Sequence, residues 1–273
     1  MHPAPPPRGA RAARAATVLA VATLVASLAA CVPSPSASAG RPQDTASPSG
    51  RKPRAGTVLD EPLPSEVATI PLVDQRGQQF TLGSLRGRTI VLADFLTLCQ
   101  EVCPLTSVDL RDVATAVSRA GLADRVQVIE ATVDPQRDTP ARLAAYQNLF
   151  GAQRDWAFAT GTSAGLNRLW AYLGVYHAKV AEQAGSGPKD WLTGRPLTYD
   201  VEHQDVVYVI GPDGHARWED NGNADTAGSQ PPGTLLQFLS KQGHRNLTAP
   251  TQPSWTAADI EGALEYVTGQ HIG

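Results

Sequence analysis

The stretch that most constrains the fold runs from residue 90 to residue 117, IVLADFLTLCQEVCPLTSVDLRDVATAV. Ile90 to Phe95 is a short apolar run of the kind that fills a central strand covered on both faces. It leads directly into Cys99 and Cys103, with three residues between them, and then into Pro104. Proline suits the start of a helix, and Leu105, Val108, Val113, Val117 and Ala120 recur on one side of the helix that would follow. A residue before proline is driven out of helical angles, so Cys103 is expected at the cap. The two sulfurs are therefore predicted to share a loop at a helix N-terminus.

Strands and helices alternate from there. A strand is read at residues 126–132, a helix at 140–150 with Thr139 as N-cap, a strand at 156–160, and a helix capped by Thr162 that ends at Gly174. After a polar loop at 182–198, residues 206–210 and 215–218 flank Gly211-Pro212-Asp213-Gly214, the pattern of a hairpin with a four-residue turn. Residues 232–242 read as a closing helix. This order predicts an α/β domain of thioredoxin type over residues 65–243, with an N-terminal hairpin extension at 67–82. Beyond it, residues 244–273 form an extension containing one small amphipathic helix, with Ile260, Ala263, Leu264 and Val267 on one face, expected to cover an edge of the domain. There is no internal repeat.

The N-terminal part belongs to a different class. Arg8, Arg11 and Arg14 precede an uncharged apolar run over residues 15–30, shorter than the roughly 20 residues of a membrane span. The run ends in Leu28-Ala29-Ala30-Cys31, which resembles the lipobox of bacterial lipoproteins and implies a signal peptide over residues 1–30 and acylation of Cys31. A plain secretion signal cut after residues 37–39 and an uncleaved anchor are the alternatives. Residues 31–64 are Pro, Ser, Ala, Gly and Arg with almost no large apolar side chain, and read as a flexible tether. Without the first thirty residues, 20 Lys and Arg stand against 26 Asp and Glu. Such an acidic exported chain is a poor partner for nucleic acid.

On that route only Cys99 and Cys103 remain as free thiols, and a close pair outside the cell seldom lacks a purpose. A thiol–disulfide exchanger ordinarily uses a tighter CxxC pair at a helix start. The longer CxxxC loop can close into a disulfide or turn two thiolates toward one metal ion, so redox pair, metal site and structural disulfide all stay open at this point. A peroxidatic cysteine wants threonine three residues earlier, but Leu96 and Gln100 stand there. A third ligand would come from His177, His203, His215, His244 or His271. In a thioredoxin-type fold the loop before the penultimate strand passes over the cysteines, and here it holds Tyr199-Asp200-Val201-Glu202-His203-Gln204. A histidine beside a strand start is ordinarily a solvated group, so position alone does not make His203 a ligand.

Four stretches together resemble the Sco/SenC family of thioredoxin-fold copper chaperones: Thr97-x-Cys99-x-Glu101-Val102-Cys103-Pro104, residues 132–140 (TVDPQRDTP), residues 160–162, and residues 199–203 followed by 206–214. The resemblance implies that Cys99, Cys103 and His203 hold one copper ion, as Cu(I) or Cu(II), and that the two cysteines can cycle through a disulfide. It also implies a copper-binding subunit of cytochrome c oxidase as the acceptor. Gln100 departs from the proline that often follows the first cysteine, and Gln204 from the small hydroxyl residue common after the histidine. Neither departure removes a donor atom.

Asp134 and Asp138, beside prolines, read as turn and capping chemistry, with support of the histidine as the second reading. Trp191 and Leu192 are candidates for a docking surface, with Trp191 equally suited to anchoring its own loop. The expectation is a carrier at the extracytoplasmic membrane face rather than an enzyme with turnover. A membrane-tethered thiol–disulfide oxidoreductase that reduces partner cysteines is the alternative.

Overall fold

The computed structural model describes residues 50–151, 155–182 and 187–273, which lie in a compact unit spanning Thr45–Gly273. The expected signal peptide, Cys31 and most of the expected tether lie outside the described residues. Among the described residues no helix is long and apolar enough to cross a membrane.

In chain order the strands are β1 Thr57–Pro62, β2 Leu72–Asp74, β3 Gln79–Phe80, β4 Thr89–Phe95, β5 Val126–Thr132, β6 Trp156–Gly161, β7 His177–Ala181, β8 Tyr199–His203, β9 Val206–Ile210, β10 His215–Asn221, β11 Asn223–Ala224 and β12 Ser254–Trp255. The helices are α1 Ser65–Ala68, α2 Cys103–Arg119, α3 Pro140–Phe150, α4 Ser163–Tyr172, α5 Gly233–Leu236, α6 Lys241–Asn246 and α7 Ala257–Thr268. Eight strands form one sheet in the order β1-β10-β9-β4-β5-β6-β2-β3, with β4, β5 and β6 parallel and β9 and β10 antiparallel to their neighbours. The inner block β10-β9-β4-β5 is the thioredoxin-like arrangement expected from the sequence. The β7–β8 ribbon stands apart as a sheet of its own.

Every residue of β4 is buried, which explains its near-continuous apolar sequence. Along it, alternate side chains point to opposite faces. Phe95 points into an aromatic cluster with Tyr146 and Phe158, extended by Phe150, Trp156 and Trp191. Asp94 therefore points to the other face. The β9–β10 hairpin closes as expected: the Gly214 N–H donates to the Gly211 carbonyl, and Gly214 holds a φ of 81° that favours glycine.

Four expectations are corrected. Residues 57–62, assigned to the tether, form β1 at the sheet edge, paired to β10. With two adjacent half-buried residues, Val58 and Leu59, and the rest exposed, this strand lacks the apolar alternation that would reveal it. The closing helix at 232–242 is two short helices, because Ser240 leaves helical geometry to cap α6 with its hydroxyl. The C-terminal helix α7 does not cover a sheet edge; it packs on α2 and reaches β4 and β9, placing Ile260, Ala263 and Leu264 in the core. Finally, α2 begins one residue early, with Val102 as N-cap and Cys103 inside the first turn.

Candidate metal centre

Cys99, Cys103 and His203 come together at the junction of the β4–α2 loop and the end of β8. One donor atom from each lies within 4.8 Å of the other two, and among the described residues no other group of three His, Cys, Asp or Glu converges in this way. Both cysteines are free thiols. Donors about 2.0–2.3 Å from one ion stand a little under 4 Å from each other, so the three atoms, all within 4.8 Å, need only draw slightly together to share one small ion.

Each position has a local cause. The turn Leu96–Cys99 is closed by the Cys99 N–H on the Leu96 carbonyl. The first turn of a helix leaves N–H groups without intrahelical partners. At α2 one of these, the Cys103 N–H, donates to the Cys99 sulfur at 3.4 Å. Cys103 is fully buried at the helix start while Cys99 keeps partial exposure. His203 turns its Nε2 to the Cys103 sulfur, 3.3 Å away.

The imidazole is fixed from behind. Its Nδ1 lies 2.6 Å from Asp94 Oδ2 and 2.8 Å from the Gln204 carbonyl. Both neighbours are acceptors, so Nδ1 carries a proton and donates. Nε2 is thereby left as the atom that faces the sulfurs. The other Asp94 oxygen accepts the Val206 N–H at 2.9 Å, so the carboxylate is itself held at the start of β9. A carboxylate behind a ligating histidine is the arrangement that sets tautomer, ring orientation and basicity in metal sites.

The electrostatics separate the two thiols. Hydrogen bonding with Cys103 is the largest influence on Cys99, and with the His203 ring it outweighs burial, so this thiol titrates well below its ordinary value. Burial pushes Cys103 well above its ordinary value, and the neighbouring Cys99 sulfur adds to the effect. Burial acts against a charged His203, but Asp94 and Cys99 more than offset it and hold the imidazole well above its usual range. Of the two thiols, Cys99 is thus the one that gives up its proton more readily, and Cys103 the one that holds it. Two thiolates and an imidazole are a soft donor set suited to Cu(I).

Asp134 and Asp138 do not touch a ligand. Asp138 accepts from the Thr97 N–H at 3.2 Å, from the Thr97 hydroxyl, and from the Thr132 hydroxyl at 2.5 Å, which fixes the chain two residues before Cys99. Asp134 pairs with Arg137 and accepts the Tyr199 hydroxyl at 3.0 Å, and the Arg137 guanidinium lies 3.8 Å over the Tyr199 ring. That fixes the beginning of β8, four residues before His203. The residue that supports the histidine is Asp94, which the sequence reading passed over inside an apolar run. Its signal was the charge itself, in a strand otherwise fit for full burial.

Among the described residues, no other histidine joins the sulfurs in a group of three donors. His177 bonds Asn167 at 3.0 Å, His215 pairs with Asp60, and His271 pairs with Glu265. Trp191 is an anchor: its N–H donates to the Thr97 carbonyl at 2.7 Å and its ring packs on Tyr146. Leu192 beside it is 50% exposed.

Known proteins resemble this chain over the same region. The SCO1/SenC family model matches residues 64–226, more than half of the chain. A protein of Stutzerimonas stutzeri whose name ascribes copper binding to it is 30% identical over 160 residues, covering 59% of this chain and 71% of that protein. The solved structure of Bradyrhizobium japonicum ScoI with copper bound is 24% identical, with a TM-score of 0.47 over 66% of this chain and 99% of that one. BsSco, described as having a disulfide switch and as a member of the Sco family of cytochrome c oxidase assembly proteins, is 22% identical, with a TM-score of 0.43 over 60% of this chain and 86% of that one. With the CxxxC pair and the distant histidine meeting inside the matched segment, the chain belongs to the SCO1/SenC family.

Proposed function

We propose that this chain is an extracytoplasmic copper chaperone. It is tethered to the membrane through acylated Cys31, holds one copper ion through Cys99, Cys103 and His203, and passes it to the dinuclear copper centre of cytochrome c oxidase. The observation that carries the reading is the convergence of the three donor atoms within 4.8 Å, with the His203 ring fixed so that Nε2 faces the sulfurs. Copper-binding relatives support the choice of ion, and the oxidase-assembly description of BsSco supports the acceptor. The basic, apolar and cysteine-terminated order of residues 8–31 supports the membrane placement.

Binding as two thiolates and an imidazole releases whatever protons the two sulfurs and His203 Nε2 carry, while Asp94 keeps the proton on Nδ1. Transfer is then an exchange of ligands in which copper keeps its oxidation state. The test is titration of the reduced protein with Cu(I) and Cu(II), beside His203→Ala and the Cys99→Ser/Cys103→Ser double variant. One equivalent of tight copper is expected, lost in the double variant and much weakened in His203→Ala. Full affinity in His203→Ala would overturn the three-ligand site.

A second reading, thiol–disulfide exchange, is favoured by the close pair of free thiols in which Cys99 is lowered and Cys103 raised from the ordinary thiol value. Cys99 would attack a partner disulfide and Cys103 would resolve the mixed disulfide. The products are a Cys99–Cys103 disulfide and two partner thiols, which take the Cys103 proton and one from solvent. Retention of partner reduction by a His203→Ala variant that no longer holds copper would select this reading.

A further inference from the structure

We propose that residues 240–243, beyond the segment matched by the family model, form a positioning clamp on the cysteine loop, with Gly243 as the residue that lets it close. The copper part of this inference rests on the metal reading above.

The loop between the cysteines has little to stiffen it from within. Gln100 stands where a proline is common in the family the chain resembles; it is half-buried, and Glu101 is exposed. Instead the loop is gripped from two sides. On one side Gln100 Nε2 donates to the Lys189 carbonyl at 2.7 Å, next to the Trp191 bond to Thr97. On the other, the Ser240 N–H donates to the Gln100 carbonyl at 2.8 Å and the Ser240 hydroxyl donates to Glu101 at 3.1 Å. The same hydroxyl accepts the Gln242 and Gly243 N–H groups, so one side chain caps α6 and binds the loop.

Gly243 explains how close the two backbones come. A Cβ at this position would lie 2.4 Å from the Gln100 carbonyl oxygen and 3.2 Å from Glu101 Cα. No flexible side chain is available to yield there, so any larger residue must push α6 and the loop apart. Glycine is the poorest helix former after proline, and it sits inside a helix of six residues. Close approach to the loop accounts for its presence. The clamp segment follows Leu235, which is buried in the core. Its grip falls on the residues that separate Cys99 from Cys103, and so acts on the spacing and direction of both sulfurs.

The experiment compares wild type, Gly243→Ala and, as a control, Gly262→Ala in α7, where an added Cβ meets nothing within 4 Å. Two quantities are read with the melting curve: Cu(I) dissociation constant by chelator competition, and the Cys99–Cys103 equilibrium in glutathione buffers. Loss of a supporting contact at a metal site typically costs about 10–100-fold in affinity. Gly243→Ala is expected to weaken Cu(I) binding about 10-fold and to shift the disulfide equilibrium about 10-fold, or about 30 mV. Ser240→Ala, which keeps its backbone N–H, should move both in the same direction by less, and decides the matter if Gly243→Ala does not fold. Gly262→Ala should match wild type. Folded Gly243→Ala and Ser240→Ala proteins with wild-type values of both quantities would overturn the clamp, as would a lowered melting temperature with both quantities unmoved. A wild type that binds no copper, beside a shifted disulfide equilibrium in Gly243→Ala, would end the metal reading and leave the clamp standing.

Discussion

Asp94 and His203 are 109 positions apart in the chain and 2.6 Å apart in space, and their contact joins the central strand to the end of β8. The same carboxylate takes the Val206 N–H, so one buried group fixes both the ring and the strand that follows it.

Replacing Asp94 by Asn keeps an acceptor but removes the charge. Cu(I) affinity is expected to fall about 10–100-fold in a chelator competition. Replacing it by Ala leaves the Nδ1–H and the Val206 N–H without their carboxylate. Breaking a buried ionic pair costs about 3–5 kcal/mol, which urea unfolding would read. Equal affinity in Asp94→Asn and wild type would remove the carboxylate from any role at the metal.

Thiol alkylation should distinguish the cysteines. Cys99 is expected to react first, with a pH midpoint well below that of an ordinary thiol, and Cys103 only at high pH or on unfolding. In His203→Ala the Cys99 midpoint should rise, because the ring that favours the thiolate is gone. Mass spectrometry of protein quenched across a pH series gives both midpoints.

Acid should loosen the loop beside the site. Burial opposes ionisation of Asp190, but bonds from Arg142, the Leu192 N–H and the Thr193 hydroxyl bring it down to about 2. A depressed carboxyl contributes stability above its unfolded value near 3.9, and loses it as pH falls toward about 2. Arg142→Ala should flatten the pH dependence of unfolding in that window. An unchanged slope would assign it to other acids.

Glu130 has the opposite sign. Burial pushes it up to about 8, against hydrogen bonds from the Ser107 hydroxyl and the Trp156 N–H. The folded chain then binds a proton that the unfolded chain releases, so stability is present below about pH 4.3 and declines as pH rises toward about 8. Glu130→Gln, close in shape to the neutral acid, should remove that decline in denaturant melts taken between pH 5 and 8.

Much of this could be read from residues near one another in sequence. The strand at 90–95, the cysteine loop, the Pro104 helix start and the glycine turn at 211–214 are local signals, and local physics decides them. His203 was different, because nothing about a histidine near a strand start says what lies above it, and only the four motifs in register pointed to it. Asp94 was visible and misjudged: a carboxylate in a strand of wholly buried residues needs a donor, and that donor lay beyond the reach of any local pattern. β1 escaped notice because an edge strand need not alternate, and α5 and α6 because their break is made by a contact with Gln100.

Burial also orders the events at the centre. Cys103 is fully enclosed and the His203 side chain is 4% exposed, while Cys99 is a partly exposed residue. If the chain carries copper as proposed, a recipient's sulfur or nitrogen would meet the ion from the outward side, at Cys99. The link to Cys99 would be the first to give way, with the two inner donors holding until the incoming group had replaced it. Such a centre would release to a partner that docks and competes, and withhold from water.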